Sequence, residues 1–260
     1  MLVGRAAAFS SQFMIPQRWF APRYRTRSTM SDQAHQLMTA EMIGRQLASY
    51  RDAGRLMFVT SSFQTHSLVL LHILSRTAAD IPVFFLNTGY LFPETLAFRD
   101  RIAEEFKLKV HDLHSAVPKT QQRDSSGRSL YASDSDFCCY LNKVQPMEAM
   151  LEKYDVWITG VRADQNDNRR TLAVEQQSPG RAMRFHPMLG WTERKIEAYI
   201  SEYALPRHPL ESEGYLSVGC EPCTRKIDLE LVEKDPRLAR WFGLQKTECG
   251  LHIDLVDKTK

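Results

Sequence analysis

Two cysteine pairs carry the strongest chemical signal in this sequence: Cys138 and Cys139 are adjacent, and Cys220 and Cys223 flank Glu221 and Pro222 much further along. Four thiolates drawn from two such pairs could meet on one inorganic centre. Disulfides are one alternative, disfavoured for a chain without a secretory signal. Two separately buried pairs are another, because free cysteine often serves as core. Zinc is the chemical rival. Its structural sites usually take pairs with spacer residues between them, whereas adjacent cysteines form a cramped chelate that suits neighbouring irons of a cluster better than one tetrahedral ion. The preferred expectation is a 4Fe-4S cluster held by Cys138, Cys139, Cys220 and Cys223. The fifth cysteine, Cys249, stands apart in KTECGLH near the C-terminus, between Lys246, Glu248 and His252.

A second candidate site is the loop TSSFQTHS at 60–67. Small hydroxyl residues between a strand and a helix let N–H and O–H groups face an anion where the helix dipole also favours negative charge. This is neither a Walker A sequence nor GxGxxG, and a Ser/Thr-rich loop of this kind also occurs as simple capping. The segment LNTG at 86–89, at the end of the next strand, would line the same crevice, or would be only a turn using a positive φ at Gly89.

Both loops depend on elements that the apolar spacing predicts. RLMFVT at 55–60, IPVFFLNTG from Ile81, LKVHDL from Leu108, YDVWITG from Tyr154 and AMRFHPM from Ala182 read as short strands. Between them lie helical runs: SLVLLHILSRTA, FPETLAFRDRIAEEFK with Pro93 and Glu94 in its first turn, a helix near 140–153, and one capped by Thr192. Ahead of them Leu37, Met42, Ile43 and Leu47 sit at helical spacing, with Ser31 and Asp32 as the expected cap. Strands alternating with helices imply an α/β fold with a largely parallel, twisted sheet and helices on both faces. Such sheets bind ligands at the carboxyl ends of the strands, where the order switches.

Composition limits the function classes. With 43% hydrophobic and 25% charged residues in 260, the chain can bury a large core. No apolar run reaches the roughly 18–20 residues of a membrane span; the best, LVLLHIL, contains His72. Residues 1–30 hold five arginines and no acid, leaving 29 basic against 31 acidic residues elsewhere. That balance carries no nucleic-acid footprint. The Arg- and Ser-rich first segment has the composition of an organellar transit peptide, or is a disordered extension ahead of a start at Met30.

The segments SSFQTHS, FFLNTGYLFPET, FCCYLNK, ITGVRADQ, RFHPML, GYLSVGCEPCTRK and RWFGLQKTECGLH occur in an order that resembles the assimilatory adenylylsulfate reductases, the iron-sulfur branch of the phosphoadenylylsulfate reductase family. The resemblance runs from about residue 40 to 255, and the paired cysteines with the terminal ECGLH are its most specific parts. It implies a fold like that of the adenine nucleotide α-hydrolases, related to ATP pyrophosphatases. The usual pyrophosphatase loop SGGxDS has lost both central glycines here, as it has in the reductases.

Together with the Arg-rich first segment, this resemblance gives an expected division into a disordered or targeting extension (1–30), a nucleotide- and cluster-binding reductase domain (31–235) and a mobile C-terminal catalytic tail (236–260). Cys249 looks like the nucleophile that attacks the sulfur of adenosine 5'-phosphosulfate, expels AMP and leaves a cysteine S-sulfonate. Thioredoxin or glutaredoxin then releases sulfite. A thiol with a pKa of about 8.5 must ionise to attack, and the transferred group is anionic, so cations should converge there. Lys143, His252 and Arg240 are the expected catalytic partners. Ser61, Ser62, Phe63, Gln64, Leu86, Gly160, Arg162 and Arg237 are the expected substrate contacts, with His66 at a helix start and His186 left open between a structural role and the site. The expected location is cytoplasmic, or organellar if the first segment is a transit peptide, with no membrane or nucleic-acid partner and a homo-oligomer left open. Two other readings remain compatible with parts of the sequence: the same chemistry on the 3'-phosphorylated nucleotide, and a pyrophosphatase-type tRNA thiolase.

Overall fold

The apolar runs form one six-stranded sheet of order β3-β2-β1-β4-β6-β5, in β1 (Met57–Thr60), β2 (Val83–Leu86), β3 (Val110–Leu113), β4 (Val156–Ile158), β5 (Glu175–Gln177) and β6 (Met183–Phe185). All neighbours are parallel except the edge strand β5, which runs antiparallel to β6. A computed structural model describes residues 35–177 and 182–226. The expected extension, Ser31, Asp32, Arg237, Arg240, Cys249 and His252 lie outside the described residues.

Period-two alternation sorts the strand residues onto two faces. Met57, Val59, Val83, Phe85, Val156 and Ile158 join one core cluster. It is covered by α1 (Ala40–Asp52), α2 (Ser67–Thr77), α3 (Pro93–Glu105) and α8 (Glu193–Glu202), which contribute Leu47, Leu71, Ile102 and Ile200. The intervening Phe58, Phe84 and Trp157 point the other way and pack on Met147 and Leu151 of α6 (Gln145–Lys153). Central strands buried on both faces are the mark of a parallel sheet sandwiched by helices. Trp157 has no exposed surface, gives its indole N–H to Thr60 Oγ1 at 2.9 Å and carries the Arg184 guanidinium 4.8 Å above its ring. Truncating such a ring to alanine costs about 3–5 kcal/mol, so the strand ends that flank the crevice below are rigidly held.

Three expectations need correction. The first helix starts at Ala40 with Thr39 as its cap, the Thr39 hydroxyl accepting the Met42 N–H at 3.2 Å. Leu37 therefore precedes the helix, and its segment is held by tertiary contacts. Trp191 Nε1 donates to the Met38 carbonyl at 2.8 Å, and a Cβ on Gly190 would lie 2.6 Å from the Gln36 carbonyl. The polar loop after β4 is not all loop, since it contains the short α7 (Asp167–Arg170) and β5. The helix expected near 140–153 is longer and interrupted: α4 (Leu130–Ser133) and α5 (Ser135–Cys139) precede a π-helical turn at Tyr140–Val144, which runs into α6.

Candidate functional site

The strand order turns back at β1, with β2 and β3 on one side and β4 on the other, so a crevice opens between the carboxyl ends of β1 and β4. A cavity of about 490 Å³ occupies it, within the size range of small-molecule sites. Ser61, Ser62, Gln64, Leu86, Gly160 and Arg162 all line this cavity, as the sequence reading expects.

Phe63 does not line it. Its ring is fully buried and packs edge-on against Phe85, with centroids 5.6 Å apart. The backbone there is left-handed, with φ of 55°, a conformation that costs a non-glycine residue about 1 kcal/mol or more. The buried ring anchors the loop, and the Phe63 N–H closes onto Ser61 Oγ at 3.1 Å. Phe63 is thus a core residue that shapes the crevice and lays no side chain against a ligand. Gln64 has a structural duty too: its Oε1 accepts the Val218 N–H at 3.1 Å and pins the opposite wall.

Arg162 is 5% exposed and is held on several sides. Its Nε donates to Asp164 Oδ1 at 2.9 Å, its Nη1 to His66 Nδ1 at 3.2 Å, and its backbone N–H to Gln165 Oε1 at 3.0 Å. Behind the wall, His186 is buried with Nδ1 2.6 Å from the Thr159 hydroxyl. Burial, then Arg184 and Arg169, push its pKa down to about 3, so the imidazole is neutral. His186 is structural, supporting Thr159 at the crevice wall.

The four cysteines Cys138, Cys139, Cys220 and Cys223 line one further cavity, together with Asn142 and Lys143. None is in a disulfide. Asp134 caps α5 by accepting the Phe137 N–H at 2.9 Å, which sets the adjacent pair at the helix end. The π turn that follows brings Asn142 and Lys143 back over the pair, with Asn142 Nδ2 3.6 Å from Cys138 Sγ and Lys143 Nζ 4.0 Å from Cys139 Sγ. Such turns frequently occur at functional sites. The second pair arrives on a separate tether. Leu91 and Cys220 form an antiparallel bridge, Glu221 N–H donates to the Tyr90 carbonyl at 2.7 Å, and Thr88 Oγ1 lies 3.3 Å from Cys220 Sγ.

Burial pushes the Cys138 thiol up to about 11, and Cys139, Cys220 and Cys223 push the same way while Lys143 opposes them. Four thiolates gathered in so enclosed a space repel one another unless a cationic centre lies among them. Among the described residues no group of three or more His, Cys, Asp or Glu side chains converges to hold a metal ion. The four cysteines nonetheless line one and the same cavity.

The two cavities adjoin: Thr88, Lys143 and Cys220 line both. Sequence reasoning passed over Arg169 and Asp164, which also line the crevice. Their signal was position, on the loop after β4 at the switch in strand order. It also passed over the buried Gln122–Asn142 pair beneath the cysteines.

Residues 56–226 match the family model described as phosphoadenosine phosphosulfate reductase domain. The chain is 38% identical over 206 residues to an adenosine 5'-phosphosulfate reductase of Chelativorans sp., covering 78% of this chain and 81% of that protein. It is also 38% identical over 203 residues to a phosphoadenosine 5'-phosphosulfate reductase of Gloeobacter violaceus, covering 76% and 83% of the two chains. Among solved structures, a phosphoadenylyl-sulfate reductase from Candida auris superposes with a TM-score of 0.55 at 22% identity, covering 74% of this chain and 97% of that one.

Proposed function

Because the chain belongs to the phosphoadenosine phosphosulfate reductase family, we propose that it reduces adenosine 5'-phosphosulfate to sulfite and AMP in sulfate assimilation, with thioredoxin or glutaredoxin as reductant. The observation that carries this reading is the shared wall: a crevice of nucleotide size meets a four-cysteine cavity through Thr88, Lys143 and Cys220.

Residues 31–235 are the reductase domain and 236–260 the tail that brings Cys249 to the crevice. The Cys249 thiolate attacks the sulfur of the bound nucleotide, the bond from sulfur to the phosphate oxygen breaks, and AMP departs with that electron pair. The enzyme retains Cys249 as an S-sulfonate. A dithiol partner then displaces sulfite and becomes a disulfide, which supplies both electrons and returns the free thiol. Ser61, Ser62 and Arg162 hold the anionic end of the nucleotide, with Leu86 and Gly160 beside the adenosine. Arg237, Arg240 and His252 of the tail join them, and Lys143 places a cation at the junction of the two cavities. Cys138, Cys139, Cys220 and Cys223 would hold a 4Fe-4S cluster, whose fixed charge acts on the site while the dithiol supplies the electrons. Among the described residues no helix is long and apolar enough to cross a membrane, and a cytoplasmic site of action accords with thioredoxin as partner.

Relatives named for either nucleotide match this chain equally, at 38% identity, so the substrate choice rests on charge. A 3'-phosphate would add a dianion to the bound nucleotide. At the crevice, Arg162 is already paired with Asp164, Arg169 is bonded to Gln165, and Glu193 and Glu211 lie along the wall with Lys143. We therefore assign the unphosphorylated nucleotide, with a preference of at least about tenfold in kcat/KM, or roughly 1.4 kcal/mol. The test is sulfite and AMP release from each nucleotide by anaerobically purified protein with thioredoxin. Equal or reversed efficiencies refute the substrate choice, and no release from either refutes the reductase reading.

A further inference from the structure

His66 occupies the first position before α2 but makes no capping bond with its side chain. Both of its ring nitrogens are spent elsewhere. Nδ1 faces Arg162 Nη1 at 3.2 Å and Nε2 faces Glu197 Oε1 at 2.9 Å. A guanidinium has only donors, so Nδ1 must present its lone pair. The proton therefore sits on Nε2 and is donated to Glu197, which fixes the neutral tautomer from geometry alone.

Glu197 is itself held. Burial alone would raise its carboxyl, but hydrogen bonds from Arg207 and His66 outweigh it and hold the group below the usual carboxylate range. A second tether reaches the same arginine from the same helix: the Glu193 N–H of α8 donates to Asp164 Oδ2 at 2.6 Å, and Asp164 Oδ1 accepts Arg162 Nε at 2.9 Å. The rigid guanidinium plane is thus gripped at two of its nitrogens by partners anchored on α8. Arg162 and His66 both line the crevice, so the grip decides which donors Arg162 turns toward an anion there.

Resting on the nucleotide reading of the crevice, we infer that His66 is a positioning residue for nucleotide binding, acting as the neutral acceptor that aims the Arg162 guanidinium at the anionic groups of the ligand while Glu197 fixes the ring. A planar fork presented in one orientation loses less entropy on binding an oxyanion than a free one. The substitutions that preserve function follow from where each atom sits. Asn places an amide oxygen near the Nδ1 position, whereas Gln reaches the Nε2 position and can serve only Glu197.

The test is AMP affinity, by calorimetry on anaerobically purified full-length protein. We expect His66→Ala and His66→Gln to weaken AMP binding about tenfold or more and His66→Asn to stay within about threefold of wild type. In turnover, His66→Ala should raise KM for adenosine 5'-phosphosulfate by a similar factor with kcat nearly unchanged, the signature of lost ground-state binding. The decisive arm is the cycle with Arg162→Ala. If His66 acts through Arg162, adding His66→Ala to Arg162→Ala changes AMP affinity less than about twofold. Effects that multiply across the cycle, or a His66→Ala protein that binds AMP as wild type does, overturn the inference. Wild-type protein that binds neither AMP nor adenosine 5'-phosphosulfate overturns the nucleotide reading itself, a result visible before any variant is made.

Discussion

Replacing Asn142 with Leu should weaken the fold and the cysteine cavity together, by an amount that can be worked from its contacts. Asn142 is 2% exposed and exchanges two amide hydrogen bonds with Gln122, giving Nδ2 to Gln122 Oε1 at 2.6 Å and accepting Gln122 Nε2 at 3.0 Å. Leucine fills similar space but leaves the Gln122 oxygen and one of its N–H groups buried without partners. Each such orphan costs about 1–3 kcal/mol, so the variant should lose roughly 2–6 kcal/mol, a large share of the 5–15 kcal/mol typical of a domain. The same amide lies 3.6 Å from Cys138 Sγ, so iron and acid-labile sulfide per chain should fall with stability. A second variant separates mechanism from mere damage. Gln122→Leu with Asn142→Leu removes both orphans and leaves the Val117 carbonyl, to which Gln122 Nε2 had donated at 2.9 Å, and the Cys138 carbonyl, which has lost Asn142 Nδ2 at 2.8 Å in the single variant too. The double variant should therefore recover part of the loss. Urea midpoints and iron content measured on all three proteins decide the matter. A single variant as stable as wild type, or a double variant weaker than the single, would refute the reasoning.

Cys220→Ser should abolish the broad visible absorption of an iron-sulfur centre and most of the iron. Stoichiometric zinc without labile sulfide in the anaerobically purified wild type would contradict the cluster. Cys249→Ser should keep colour and AMP binding yet lose turnover, and mass spectrometry of wild-type protein with substrate and no thioredoxin should find the sulfonate on Cys249; an adduct on another cysteine would mean the nucleophile is misassigned. Stability should also fall in acid through His186, whose pKa drops from 6.5 when unfolded to about 3 when folded. The unfolded chain binds the extra proton, so this contribution is fully present above about pH 6.5 and is lost as pH falls toward 3, at about 1.4 kcal/mol per pH unit. Burial lowers His72 and His208 in the same direction. Urea midpoints from pH 7.5 to 5 should therefore slope less in His186→Asn than in wild type, and identical slopes would exclude His186 as a source.

The strands were legible because each carries enough apolar residues to declare itself. Phe58 and Trp157 fill one face while Val59 and Ile158 fill the other, and either set alone marks a buried segment. The start of α1 was not, because Thr39 and Ser31 are both acceptable caps locally. What separates them is the carbonyl of Met38 bonded to Trp191 and the close approach of Gln36 to Gly190, contacts made across more than 150 residues of chain. The strand β5 was hidden for a related reason. Glu175, Gln176 and Gln177 have no apolar pattern, and they extend only because β6 offers an edge.

The candidate site divides along the same physical line. Cysteine spacing announces its own chemistry, since few purposes bring two thiols side by side, and the four sulfurs do share a cavity. Phe63 stands among the crevice residues Ser61, Ser62 and Gln64, and only the left-handed turn at Phe63 sends its ring inward. The pairing of charges was invisible in sequence. Arg162 looks like a free cation for a ligand until Asp164 and His66 are seen on it, and Glu197 lies 131 residues from the histidine it fixes. An arginine partly neutralised by its own wall is a weaker point charge but a better-aimed fork. That trade favours a ligand recognised by the direction of one anionic group over one recognised by total negative charge, which is why the same residues that position Arg162 also argue for the nucleotide with fewer phosphates.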